Sequence, residues 1–374
     1  MRVMILDDDP WMTDLLKQVV LSVRSVAQVE CFSDVSSALA AWHQNDYHLV
    51  MADWNLPDAP GVEMLRIIRK KDQHTPLIII TARADRDSVL VAKPLGISAF
   101  FTKPFQIPRL VQCLESLLPP DEKVREPLII AEDLIHYLNR LSPVELDLPL
   151  LTSVKEALKL GRGECLPHLS ELVESWQNDP AITAYLIAAA NSPAYLGQGQ
   201  ISTTLNSALA RLGSLTSLNL ASSQALKQKE VQPKGMLTSL LQAHLDVAER
   251  LAQRVLLIAE QCGLDPAPLC TAALLHRMGE LCVIYQIQKW ESMGNTTSEE
   301  TLSHAIRDFS SPFANHLKTR LGLPKGLREL IGAIYALPAM QVRREQVVMR
   351  LAEAVGNGEP EESIQRLKRL AGLM

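Results

Sequence analysis

Five short, strand-like, largely apolar runs punctuate the first 118 residues, and each is followed by a stretch with helical apolar spacing. This alternation constrains the fold more than any other feature. Successive strand–helix units running in one direction require a parallel sheet with helices packed on both faces. The strand-like runs are 2–6, 26–32, 48–52, 76–81 and 99–102. Helices are expected over 10–21, from a Ser33 cap to about residue 44, and over 61–71, 85–93 and 107–118. Residues 77–80 read Leu-Ile-Ile-Ile, as suits a strand covered on both sides.

The pattern stops at Pro119-Pro120 and a charged stretch ending at Glu126. Residues 128–141 look like an amphipathic connecting helix. From about 146 to the end only helical patterns remain, with start signals at Asp179-Pro180, at Ser202 and at Asp265-Pro266. The expected organisation is an α/β domain over 1–118, a linker with a connecting helix over 119–145, and an all-α domain over 146–374. A chain of 374 residues is long enough for two cores of this size.

Composition excludes several classes of function. The formal charge of −5 argues against a chain-wide nucleic-acid footprint, and the helical half shows no recognition-helix module, so DNA binding is not expected. Cys31, Cys113, Cys165, Cys262, Cys270 and Cys282 form no CxxC pair and read as reduced thiols. The N-terminus lacks a signal-peptide pattern, because three aspartates follow a very short apolar run. No uncharged apolar stretch of helix-spanning length stands out, so the expectation is a cytoplasmic protein with no membrane partner.

Ligands of an open α/β sheet bind outside the carboxyl ends of its strands. Asp7, Asp8 and Asp9 follow the first strand, Asp53 ends the third, Thr81 the fourth, and Lys103 the fifth. Carboxylates gathered at one rim repel unless a cation sits among them, and a hard-oxygen set of this kind suits Mg²⁺. An aspartate beside such an ion can attack phosphorus and form an aspartyl-phosphate.

Four motifs in order, LDDDP, MADWNLPDAPG, IIITARAD and FFTKPF, make residues 1–118 resemble the CheY-like receiver domain of two-component response regulators. The resemblance implies a flavodoxin-like doubly wound, five-stranded parallel sheet and phosphorylation of Asp53 by a histidine kinase. It further implies Mg²⁺ held by Asp7, Asp8, Asp53 and the backbone carbonyl of Asn55. Thr81 and Lys103 would contact the phosphoryl group, Phe100 would be the switching aromatic, and a cis bond is expected before Pro104. Receivers of this kind also suggest a homodimer through the 85–118 face.

The helical half holds no Gly-rich phosphate loop and no nucleophile elbow. At LLHRMGEL a metal-binding His-Asp pair would read His276-Asp, but the second residue is Arg277, which cannot bind a metal cation. LPLL at 148–151, ELVESWQNDPAITAYLIAAANSPAY at 171–195, ISTTLNSALARLG at 201–213 and ALLHRMGEL at 273–281 together resemble the HDOD domain, a non-catalytic relative of HD phosphohydrolases. In that comparison His276 and Arg277 form a degenerate HD motif, His244 aligns loosely with a first HD histidine, and IGAIYALP at 331–338 carries none of the later histidines.

The expectation is therefore a phosphorylation-dependent signalling protein, not an enzyme, whose HDOD domain binds an unidentified downstream protein. The alternatives are a cyclic-dinucleotide phosphodiesterase of the HD-GYP type and a nucleotide-binding regulator. His276 is expected to be a satisfied core histidine, Arg277 an ion-pair partner, and Gly213 a helix end.

Overall fold

The computed structural model describes residues 1–83, 85–120, 133–160, 166–228 and 235–373. These divide into two compact units.

The first unit begins β1 (Arg2–Leu6), α1 (Pro10–Val23), β2 (Gln28–Phe32), α2 (Val35–Trp42), β3 (Leu49–Ala52) and α3 (Gly61–Lys71). It continues β4 (Leu77–Thr81), α4 (Arg86–Ala92), β5 (Ala99–Thr102) and α5 (Ile107–Leu117). All strand pairs are parallel, in the order β2-β1-β3-β4-β5. This is the doubly wound, flavodoxin-like order that the resemblance to receiver domains implies.

Alternate side chains of each strand feed opposite cores. Val3, Ile5, Met51, Ile78 and Ile80 pack with Leu15 and Val19 of α1 and Leu110 and Leu114 of α5. Met4, Leu6, Val50, Ala52 and Ile79 pack with Ala38 of α2 and with Met64, Leu65 and Ile68 of α3. Each large apolar side chain buried this way contributes about 2 kcal/mol.

Helix α1 is opened by Asp9, whose carboxylate accepts from the Trp11 N–H at 2.9 Å, with Pro10 in the first turn. The expected Ser33 cap is displaced by one residue. Asp34 lies in extended backbone and accepts from the Ser37 N–H at 2.8 Å, the N3 geometry a cap requires.

From residue 133 onward the described residues form helices and no strand. They are α6 (Leu134–Arg140), α7 (Thr152–Leu160), α8 (Leu169–Trp176), α9 (Pro180–Ala190), α10 (Pro193–Leu196), α11 (Leu205–Leu212) and α12 (Ser214–Lys227). Then follow α13 (Met236–Gln261), α14 (Pro266–Leu275), α15 (Met278–Ser292), α16 (Glu299–Arg320), α17 (Lys325–Tyr335), α18 (Arg344–Gly356) and α19 (Glu361–Ala371). Of the expected connecting helix, 128–132 lies outside the described residues; the rest is α6, capped by Asp133.

Residues Leu215–Lys227 of α12 belong to the first unit. There Asn219 Nδ2 donates to the Phe105 carbonyl at 2.8 Å, and Lys227 Nζ pairs with Asp14 at 2.7 Å.

The other helices build the second unit around α9, buried at every residue. Asp179 caps α9 through the Ile182 N–H at 2.9 Å and also accepts from the Leu151 N–H at 2.8 Å. The expected helix start at Ser202 moves to Thr204, because both backbone groups of Ser202 are taken by the Asn191 carboxamide, at 2.8 and 2.7 Å. Gly213 ends α11 at φ +74°.

One stretch departs from the membrane reading of the sequence. Pro266–Ser292 is long and apolar enough, by length and composition, to cross a bilayer. Its apolar window is 61% buried inside the protein, as in a core helix, and the stretch is interrupted at His276-Arg277 between α14 and α15.

Candidate functional site

The carboxyl ends of β1 and β3 lie side by side because Leu6 is in register with Ala52. The next residue on each strand is an aspartate. The Asp53 N–H donates to the Leu6 carbonyl at 2.8 Å, so Asp7 and Asp53 share one rim. Both are buried, Asp8 is exposed, and one carboxylate oxygen from each of the three lies within 4.8 Å of the others.

Lys103, beyond β5, reaches into the same rim. Its Nζ is 2.6 Å from Asp7 Oδ2 and 2.6 Å from Asp53 Oδ2. Burial pushes the Asp7 carboxyl up to about 6, against the pull of the Lys103 ammonium. Burial works to lower the Lys103 ammonium, but the facing Asp7 and Asp53 carboxylates outweigh it and hold it above its ordinary value.

Thr81 is fully buried at the end of β4, where its carbonyl accepts from the Lys103 N–H at 2.7 Å and its hydroxyl from the Arg83 N–H at 3.2 Å. Asn55 donates its N–H to Asp53 Oδ1 at 3.2 Å. The Lys103–Pro104 bond is cis. Phe100 is half-buried on β5, packed against the core that carries α3. Asp9 is turned to capping.

Several residues here escape a reading of strand ends alone. A Cβ on Gly61 would collide with the carbonyl oxygen of Asp53, so α3 can begin this close to the rim only with glycine there. Asp58 accepts from the N–H groups of Val35 and Ser36, both at 2.9 Å, and ties the loop after β3 to the start of α2. Those hydrogen bonds, Val35 first, hold its carboxyl down at about 2. The Arg83 guanidinium lies 5.9 Å from the centre of the Trp54 ring.

A family model of the response regulator receiver domain matches residues 3–115, and one of the HDOD domain matches residues 148–337. The chain is a response regulator with an HDOD domain. Over 119 residues it is 28% identical to the chemotaxis protein CheY of Pseudomonas aeruginosa, a match covering 31% of this chain and 95% of that one. It is 28% identical over 144 residues to the transcriptional regulatory protein FixJ of Bradyrhizobium diazoefficiens, covering 38% and 69%. Among solved structures, the non-phosphorylated HemR receiver domain from Leptospira biflexa is 27% identical, covering 32% of this chain and 98% of its own, with a TM-score of 0.29.

In the HDOD domain, the His276-Arg277 pair lies at the turn between α14 and α15. His276 is almost fully buried, and both ring nitrogens are engaged: Nδ1 with the Ala273 carbonyl at 2.6 Å, and Nε2 with the Arg277 Nε–H at 3.1 Å. Arg277 continues to Glu280, its NH1 2.7 Å from Oε1. The guanidinium thus lies between the imidazole and the Glu280 carboxylate. Burial lowers the imidazole below its ordinary range, and Arg277 adds to this. Tyr335 closes the cluster by donating its hydroxyl to the His276 carbonyl at 3.0 Å. His244, half-buried, lines the same cleft.

Proposed function

We propose that the receiver accepts a phosphoryl group on Asp53 and that this event changes the affinity of the HDOD domain for a protein partner. The observation that carries the reading is the Lys103 ammonium held 2.6 Å from both Asp7 and Asp53 at the end of the sheet.

In the proposed step an Asp53 carboxylate oxygen forms a bond to the phosphorus of a phosphohistidine or small-molecule donor as the donor's bond to phosphorus breaks. Lys103 offsets charge on the transferred oxygens. The Thr81 hydroxyl, already accepting from Arg83, keeps its own hydrogen to donate to the phosphoryl group. Three carboxylates against one ammonium leave the rim negative, and burial, with a smaller push from Asp53, makes Asp7 hard to ionise. That hard-oxygen set fits Mg²⁺, with Asp7, Asp8, Asp53 and the Asn55 carbonyl as ligands. Bound there, Mg²⁺ supplies charge neutralisation during the transfer.

The output is read as non-catalytic. The imidazole that a metal would need is committed on both nitrogens, and Arg277 adds positive charge beside it. Helix α12 offers a conduit. It lies within the HDOD match, and its Asn219 is bonded to Phe105, two residues beyond Lys103. Coupling of ordinary strength changes partner affinity about 5–150-fold.

The test is affinity capture from the native cell with the intact protein, with and without beryllium fluoride, alongside Asp53→Asn. A protein partner whose retention changes with beryllium fluoride, and does not in Asp53→Asn, supports the reading. Equal retention in every condition refutes the coupling.

A further inference from the structure

The HDOD cleft around Tyr335 has more positive charge than its own carboxylate can satisfy. Its volume is about 440 Å³, within the range of small-molecule sites. The cationic side chains lining it are Arg277, Arg307 and Lys318; the one acid in the lining is Glu280, and Arg277 already holds it at 2.7 Å. Among the described residues neither Arg307 nor Lys318 has a carboxylate partner.

The arrangement follows from helix geometry. Arg307, Ser311, Ala314 and Lys318 recur at steps of four, three and four on α16, which places them along one face. Eleven residues of helix separate the two cations by about 16 Å along the axis. Arg277 faces this stripe from the start of α15. Helix α16 can approach because residue 279 is glycine; a Cβ there would collide with the Ser310 carbonyl oxygen. Burial, and then the Arg328 guanidinium, pull the Lys318 ammonium below its ordinary value, the mark of a cation lacking a counter-charge.

The rest of the lining is of a different character. Met278, Ile306 and Ile331 give apolar walls. Tyr335 is 57% exposed as a residue while its hydroxyl is fixed to the His276 carbonyl, so the side chain is tethered at the cleft and still open to solvent. A site with separated cations, apolar walls and a fixed, open aromatic ring matches an anionic ligand with a flat apolar part.

We propose that this cleft binds a phosphorylated small molecule carrying a planar ring, its phosphates held by Arg307, Lys318 and Arg277 and its ring placed against Tyr335. No chemistry is performed on the ligand; the site holds it. The proposal is independent of the receiver and of any protein partner.

Equilibrium dialysis of the intact protein against ADP tests it, with adenosine and pyrophosphate as the two halves of the probe. ADP is expected to bind saturably, and each half more weakly than the whole. Arg307→Gln and Lys318→Met, which remove charge at the cleft, should each weaken ADP about tenfold or more. Tyr335→Leu should weaken ADP while leaving pyrophosphate unchanged. Circular dichroism identifies any variant that has failed to fold, and the exposed Arg307→Gln provides the arm least dependent on folding. Absence of saturable ADP binding in the millimolar range overturns the proposal. So does unchanged affinity in both charge variants, and pyrophosphate binding as tightly as ADP overturns the role given to the ring.

Discussion

The Arg277 guanidinium donates through Nε to His276 Nε2 at 3.1 Å, and its NH1 reaches Glu280 at 2.7 Å. One side chain thereby joins an imidazole and a carboxylate at the start of α15. Arg277→Ala leaves the buried imidazole nitrogen and Glu280 without that partner, and should destabilise the HDOD domain by about 1–3 kcal/mol. The His276 imidazole should also titrate higher in the variant, since a neighbouring positive charge has gone, although burial still holds it down. NMR titration of the ring checks the direction, and an unchanged or lowered value refutes it. Elemental analysis of the wild type should find no stoichiometric transition metal.

Gly61→Ala should disturb the acidic rim without touching any of its side chains. The new methyl group meets the Asp53 carbonyl, so either α3 or the end of β3 must shift. The expected penalty is about 2–3 kcal/mol, with slower phosphoryl uptake. Denaturant unfolding and a time course with a small-molecule phosphodonor measure the two effects. Wild-type values for both would show that the start of α3 yields freely.

Asp179 gives the HDOD domain a pH signature. Burial pushes its carboxyl up to about 6, against backbone donors that favour the charged form, from 3.8 in the unfolded chain. The folded state therefore holds a proton between those values that the unfolded state has released. Stability should fall as pH rises from about 4 to about 6, by on the order of 3 kcal/mol. Asp179→Asn should abolish that component. Asp179→Ala, which strands the N–H groups of Leu151 and Ile182, should cost about 2 kcal/mol near neutrality. Denaturation followed by circular dichroism across this pH range is the measurement; a stability that climbs with pH in this window contradicts the sign.

The strands and the acidic rim were legible because both depend on local pattern: apolar runs fix the strands, and the residue after each run falls at the carboxyl edge. The order β2-β1-β3-β4-β5 was implied only by the resemblance to receiver domains. What the sequence hides is set by tertiary approach. Gly61 looks like any loop glycine until the Asp53 carbonyl is placed against it, and Asp58 looks like turn chemistry until α2 is laid beside it. The displaced caps were hidden too: Asp34 caps α2 in place of the expected Ser33, and Thr204 caps α11 in place of the expected Ser202, whose backbone groups the Asn191 carboxamide holds.

Leu90 of α4 is an exposed large apolar residue, 53% open to solvent, on the 85–118 face of the receiver. Burying it against a second copy suits association through that face. Beryllium fluoride should raise the mass of the intact protein in light scattering, and Leu90→Asp should keep it at the monomer value. A mass that is unmoved by beryllium fluoride, or that rises equally in Leu90→Asp, argues against this surface.

Asp53, held beside Asp7 by the register of β1 and β3 and bridged to it by Lys103, is the proposed phosphoryl acceptor. Intact-protein mass spectrometry after incubation with a small-molecule phosphodonor tests it directly. The account predicts one added phosphoryl group in the presence of Mg²⁺, loss of the addition with a chelator, and none in Asp53→Asn. A phosphoryl group added as readily to Asp53→Asn would contradict it.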